Sequence, residues 1–141
     1  MKKETIFIID QDGQQGSLLK YRLSASHFPN IALFQSYEEC IYRIQKNGSP
    51  DFIITLEKEN NASSLLDFLH ATLSYNPFLK FIVVSTVNDL PFATNLLNSG
   101  ATDYILQSDY LDTSFKELLK NLNYLISKEQ FDFKQSSITK W

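Results

Sequence analysis

Pro50-Asp51-Phe52-Ile53-Ile54-Thr55-Leu56-Glu57 is the stretch on which the fold turns. Across 52–56 every residue except Thr55 is apolar, with no alternation. A strand with one face in water alternates, whereas a strand covered on both faces does not. The same kind of run recurs at 5–9, 31–34, 81–85 and 103–106, rich in β-branched and aromatic residues. Helical patterns separate these runs. The first spans 13–26, with Leu18, Leu19, Tyr21, Leu23 and Ala25 as its apolar residues. Ser36 with Glu39 reads as a capping box opening the second, which carries Cys40, Ile41 and Ile44 on one face and stops at Asn47-Gly48. The third opens at Ser63 or Ser64, carries Leu65, Leu66, Phe68, Leu69 and Leu73, and breaks at Asn76-Pro77. Asp89 caps the fourth, which ends near Ser99-Gly100, and the last spans 112–128. Strands alternating with helices predict a parallel sheet with helices on both faces.

Composition fits that picture. With 141 residues, 43% hydrophobic and 21% charged, the chain has the size and balance of one globular domain. Residues 1–128 form the domain, and 129–141, where helical periodicity is lost, form a tail containing Phe131, Phe133 and Trp141. No apolar run is long enough to span a bilayer and no signal peptide follows Met1-Lys2-Lys3, so a cytoplasmic location is expected. The single cysteine, Cys40, excludes an internal disulfide framework. The net charge is −3 and the cations are scattered, which excludes a nucleic-acid face and a polybasic membrane patch.

In an open doubly wound sheet, ligands bind beyond the carboxyl ends of the strands. Those ends read Asp10-Gln11-Asp12, Leu56-Glu57, Ser85-Thr86 and Gln107-Ser108. Four pieces resemble, in order and at matching spacing, the receiver domain of two-component response regulators. They are Ile6-Phe7-Ile8-Ile9-Asp10-Gln11-Asp12, Pro50-Asp51-Phe52-Ile53-Ile54-Thr55-Leu56, Phe81-Ile82-Val83-Val84-Ser85-Thr86 and Gly100-Ala101-Thr102-Asp103-Tyr104-Ile105-Leu106. The resemblance covers residues 3–128, and the Gly-Ala-x-Asp-Tyr piece is the sharpest. It implies a flavodoxin-like (βα)5 sheet with strand order 2-1-3-4-5.

It also implies a chemistry that this chain has largely lost. Transfer of a phosphoryl group to a carboxylate needs that nucleophile, a divalent cation and donors for the phosphoryl oxygens. The nucleophile position falls on Leu56, a hydrocarbon. Glu57 is one step further along the strand and so points to the other face. Asp10 remains at the first metal position, Gln11 replaces the second carboxylate, and Asp12 stands one step beyond. Asp10 and Asp12 are all that is left for Mg²⁺, so no cofactor is expected. Asp10 reads equally as a charge at a helix N-terminus or an Asx-type turn. Ser85 keeps the family's hydroxyl, Gln107 stands for its lysine and Ser108 for its proline, so a cis peptide is not expected there. Tyr104 matches the aromatic that in the family switches between inward and outward states.

No enzyme chemistry stands out elsewhere. His27, His70 and Cys40 fall on different elements, away from the strand ends. Asp12-Gly13-Gln14-Gln15-Gly16-Ser17 is neither a P-loop nor a dinucleotide motif. The reading is a pseudo-receiver, not an enzyme, acting through contact with a histidine kinase, another regulator or an output domain. The resemblance puts that contact on helix 4, strand 5 and helix 5. Helix 4 is uncharged from Leu90 to Asn98. In helix 5, Leu111, Phe115, Leu118, Leu122 and Leu125 have a spacing suited to core packing or to a homodimer seam. The alternatives are a receiver still phosphorylated or binding Mg²⁺ through Asp10, Asp12 or Glu57, and an unrelated small α/β ligand-binding domain.

Overall fold

In the computed structural model, which describes residues 3–107 and 111–138, the apolar runs become β1 (Thr5–Ile9), β2 (Asn30–Phe34), β3 (Phe52–Glu57), β4 (Lys80–Ser85) and β5 (Asp103–Leu106). All pair in parallel, in the order β2-β1-β3-β4-β5. The order reverses between β1 and β3, and β1 pairs with β2 on one side and β3 on the other. The carboxyl ends of β1 and β3 therefore flank the switch point of the sheet.

The helices are α1 (Gln14–Ala25), α2 (Tyr37–Asn47), α3 (Ala62–Tyr75), α4 (Leu90–Asn98) and α5 (Leu111–Ile138). Two of the expected caps form. The Ser36 side chain accepts from the Glu39 amide at 3.1 Å, and the Asp89 carboxylate accepts from the Phe92 amide at 3.1 Å. Gly48 ends α2 at φ 94°, a conformation that favours glycine. The expected opening of α3 at a serine is corrected. The helix begins at Ala62, after Asn61, with no side-chain cap.

Because side chains alternate along a strand, the sheet has two buried faces. Phe7, Ile9, Ile53, Phe81 and Val83 form one core with Cys40 and Ile44 of α2, Phe68 and Leu69 of α3, and Phe92 and Leu96 of α4. Ile6, Ile8, Ile54 and Ile82, at alternate positions, are fully buried on the opposite face. There α1 runs so close to β1 and β2 that a Cβ on Gly16 would lie 2.6 Å from Leu33 Cδ1 and 2.9 Å from Asp10 Cβ. Leu23 is the fully buried leucine of α1, while Leu18 and Tyr21 are exposed, so its apolar face is narrower than its composition suggested.

The Gly100-Ala101-Thr102-Asp103-Tyr104 piece earns its place through the backbone. Gly100 leaves α4 at φ 116°, Ala101 turns its methyl into the core, and Thr102 exchanges hydrogen bonds with Phe81 that start β5 in register.

The chain divides into two units, Met1–Gln107 with the sheet and α1–α4, and Ser108–Trp141 with α5. The last helix, expected to end at Lys128, continues to Ile138. Residues 129–138 lack an apolar stripe but contain no glycine or proline, and Glu, Gln and Lys are good helix formers. Within α5, Leu118 and Leu122 are buried and Phe115 and Leu125 half-buried, whereas Tyr124 and Phe131 are exposed. The expectations at Ser108 and Trp141, and those for the side chains of Leu111 and Phe133, lie outside the described residues. Among the described residues, no helix is long and apolar enough to cross a membrane.

Candidate functional site

β1 and β3 pair through Ile9 and Thr55, so the next step along each strand brings Asp10 and Leu56 side by side at the carboxyl edge. Asp10 is almost completely buried. One of its carboxylate oxygens accepts from the Gly16 amide at 2.8 Å, and the other from the Asp12 amide at 3.2 Å. Gly16 lies in the first turn of α1, where backbone N–H groups have no partner within the helix and the helix dipole favours an anion. Asp10 thus forms an Asx-type turn and holds the start of α1.

Gln11, Asp12, Leu56, Glu57, Lys58, Glu59 and Asn61 complete an open cleft around Asp10. Gln11 and Asp12 are exposed, and the Asp12 carboxylate pairs with the Lys58 ammonium. Donating to the Asp12 carboxylate raises the Lys58 pKa above its ordinary value. Among the described residues, no three His, Cys, Asp or Glu side chains gather as a metal-binding group. The residues present do not fit a family-type Mg²⁺ site. Asp10 has both oxygens on backbone amides, Leu56 offers no ligand, and an ammonium neutralises Asp12.

Glu57 does point away from Leu56, and on that face it is buried. Its Oε1 accepts from the Thr55 hydroxyl at 2.7 Å and from the Tyr37 hydroxyl at the start of α2. The Tyr37 ring stacks on Phe68 of α3 with centroids 4.4 Å apart. Burial pushes the Glu57 pKa up, the two hydroxyls oppose that shift, and the charge of Asp10 adds to it. Burial, with Glu57 next, also raises the Tyr37 pKa. The carboxylate, phenol and threonine form one anchored cluster between the sheet and α2. Sequence reasoning missed Tyr37, Thr55 and Lys58. The available signal was Thr55-x-Glu57, two polar residues on one face at the end of an otherwise apolar strand.

Ser85 pairs with Glu57 across the β3–β4 ladder, is fully buried, and accepts from the Val87 amide at 2.9 Å. Tyr104 lies on the same face. Its hydroxyl donates to the Val87 carbonyl at 2.6 Å and its ring meets Phe92 edge-on at 5.9 Å. Burial raises its pKa, with a smaller opposing effect from Ser85. Tyr104 is therefore turned onto the β4–α4 connection. The Gln107 amide donates to the Ser85 carbonyl at 2.6 Å, continuing the β4–β5 pairing. His27 and His70 are exposed and Cys40 is buried, so these three do not converge.

No family model matches the chain, and no curated protein does. Solved structures match it well. A response regulator receiver domain protein (CheY-like) from Methanospirillum hungatei JF-1 superposes with a TM-score of 0.76 at 18% identity, covering 93% of this chain and 99% of that one. The signal receiver domain of a Luxo repressor protein from Vibrio parahaemolyticus gives 0.72 at 16% identity over 92% and 98% of the two chains. A pilus assembly protein CpaE from Caulobacter crescentus CB15 gives 0.66 at 17% identity over 82% and 91%. The fold is that of CheY-like receiver domains.

Proposed function

We propose that this chain is a receiver-like module of two-component signalling that works without aspartyl phosphorylation and acts by binding other proteins. The observation that carries the reading is a cleft lined by Leu56 and by an Asp10 whose two oxygens are held by backbone amides. A nucleophile is missing where the fold would present one, and the neighbouring carboxylate serves structure. Gln107 brings no charge for a phosphoryl group. The module is not an enzyme, carries no cofactor and resides in the cytoplasm.

The contact surface is assigned to α4 and β5. Leu90 is 77% exposed, Leu97 and Leu106 are each 44% exposed, and α4 carries no charged residue. An uncharged helix with apolar side chains in water suits a protein partner such as a histidine kinase, another regulator or an output domain.

The test is amide NMR of the protein titrated with Mg²⁺ and then with beryllofluoride, a mimic of the aspartyl phosphate. The amides of Asp10, Asp12, Ser85 and Tyr104 are expected to stay unmoved through both additions. Saturable shifts centred on those residues in both steps would overturn the reading.

A further inference from the structure

The groove between α2 and α3 is lined by no residue of α4 or β5. Its floor is the stacked pair Tyr37 and Phe68, with ring planes 15° apart, and half-buried Ile41 continues it along α2. Tyr42, 58% exposed, forms one rim. Glu38 and Asp67 are the charged residues that line the groove, one from each helix, and no cation is among the lining residues. The Tyr37 hydroxyl is committed to Glu57 and its ring is stacked on Phe68, so the groove meets what those contacts leave of the half-buried ring. The groove is open along its length, and a small molecule would stay largely in water there.

An electron-rich ring face beside a carboxylate attracts an ammonium or guanidinium. The chain itself shows this at the rim, where Lys46 Nζ sits 5.0 Å from the centroid of the Tyr42 ring. We propose that the α2–α3 groove is the docking site for a basic, otherwise apolar peptide segment of a partner protein. An arginine or lysine stem lies on the aromatic floor, its cation sits between Glu38 and Asp67, and an apolar neighbour packs on Ile41. Burying the stem while the charged head keeps carboxylate partners suits such amphipathic side chains. The inference does not rest on the loss of phosphorylation, and it fails or stands independently of that reading.

The probe is the acetylated peptide amide Leu-Arg-Ala-Leu-Arg, titrated into the isotope-labelled full chain and followed by amide NMR. The control is the same peptide with each arginine replaced by uncharged citrulline. Saturable shifts are expected at Ile41, Tyr42, Gln45 and Asp67. The citrulline peptide should bind roughly tenfold more weakly, as should the parent peptide to the Glu38→Gln/Asp67→Asn protein, the sum of two exposed ion pairs. Added salt should weaken the parent peptide and leave the control unchanged. Equal binding by both peptides, shifts mapping away from α2 and α3, or no saturable shift at all would overturn the proposal. Should the double substitution disturb the fold, its own amide spectrum will show it, and the two peptides on the native protein decide the matter.

Discussion

Glu57→Gln is expected to make the domain more stable than the native protein at neutral pH, with the advantage shrinking as the pH falls into the ordinary carboxylate range. Glu57 is buried, and desolvation is the largest influence on its raised pKa. A carboxyl whose pKa is higher in the folded state holds its proton more tightly there than in the unfolded chain. Its contribution is therefore fully present below the unfolded pKa and is lost as pH rises through the folded one. Each unit of elevation corresponds to about 1.4 kcal/mol. Glutamine keeps an oxygen for Thr55 and Tyr37 and carries no charge. The measurement is the urea midpoint of both proteins across the acid-to-neutral range. A difference independent of pH would show that Glu57 is not elevated. Tyr37→Phe probes the same cluster from the other side. Removing a donor from a buried carboxylate should cost about 1–3 kcal/mol. The cost should be smaller in the Glu57→Gln background, because hydrogen bonds to charged groups are the stronger ones.

Gly16→Ala should destabilise the domain by about 1–3 kcal/mol even though alanine is the better helix former by about 1 kcal/mol. The added Cβ would lie 2.6 Å from Leu33 Cδ1 and 2.9 Å from Asp10 Cβ. A leucine methyl can rotate aside. Asp10 cannot, because its amide donates to the Phe34 carbonyl at 2.9 Å while its carboxylate is tied to Asp12 and Gly16. Relief requires α1 to lift, which stretches the very hydrogen bonds that anchor the helix to β1. Thermal or urea unfolding decides it. A more stable Gly16→Ala protein would mean that propensity outweighs contact and that α1 is loosely seated.

Much of the architecture was legible because the strands announce themselves. Consecutive apolar residues at 52–54 and 81–84 need cover on both sides, and both β1 and β5 begin and end where the residues place them. Ser36 and Asp89 were readable as caps because a short polar side chain before an apolar-patterned stretch has few other uses. The end of α5 was not legible, because losing an apolar stripe removes a reason to pack without supplying a reason to stop. In the candidate site, the juxtaposition of Asp10 and Leu56 followed from spacing and resemblance. The Glu57 cluster did not. Alternation showed which way Glu57 points, but not that Tyr37, on another element twenty residues earlier, would meet it there. The ion pair between Asp12 and Lys58 is equally non-local and belongs to exposed loops whose course no periodicity records.

The sole cysteine gives the molecule a built-in reporter of its own breathing. Cys40 sits on α2 inside the main core with no exposed surface, and burial pushes its thiol pKa up to about 12. Thiolate is the reactive form, so in the closed state the sulfur is both inaccessible and chemically dormant. A thiol reagent can modify it only during excursions that peel α2 from the sheet. With labelling fast relative to reclosing, the modification rate equals the opening rate; with labelling slow, it reads the open fraction. Because α2 also carries Tyr37, the same stopwatch applied to Tyr37→Phe would time how firmly the carboxylate cluster fastens this helix.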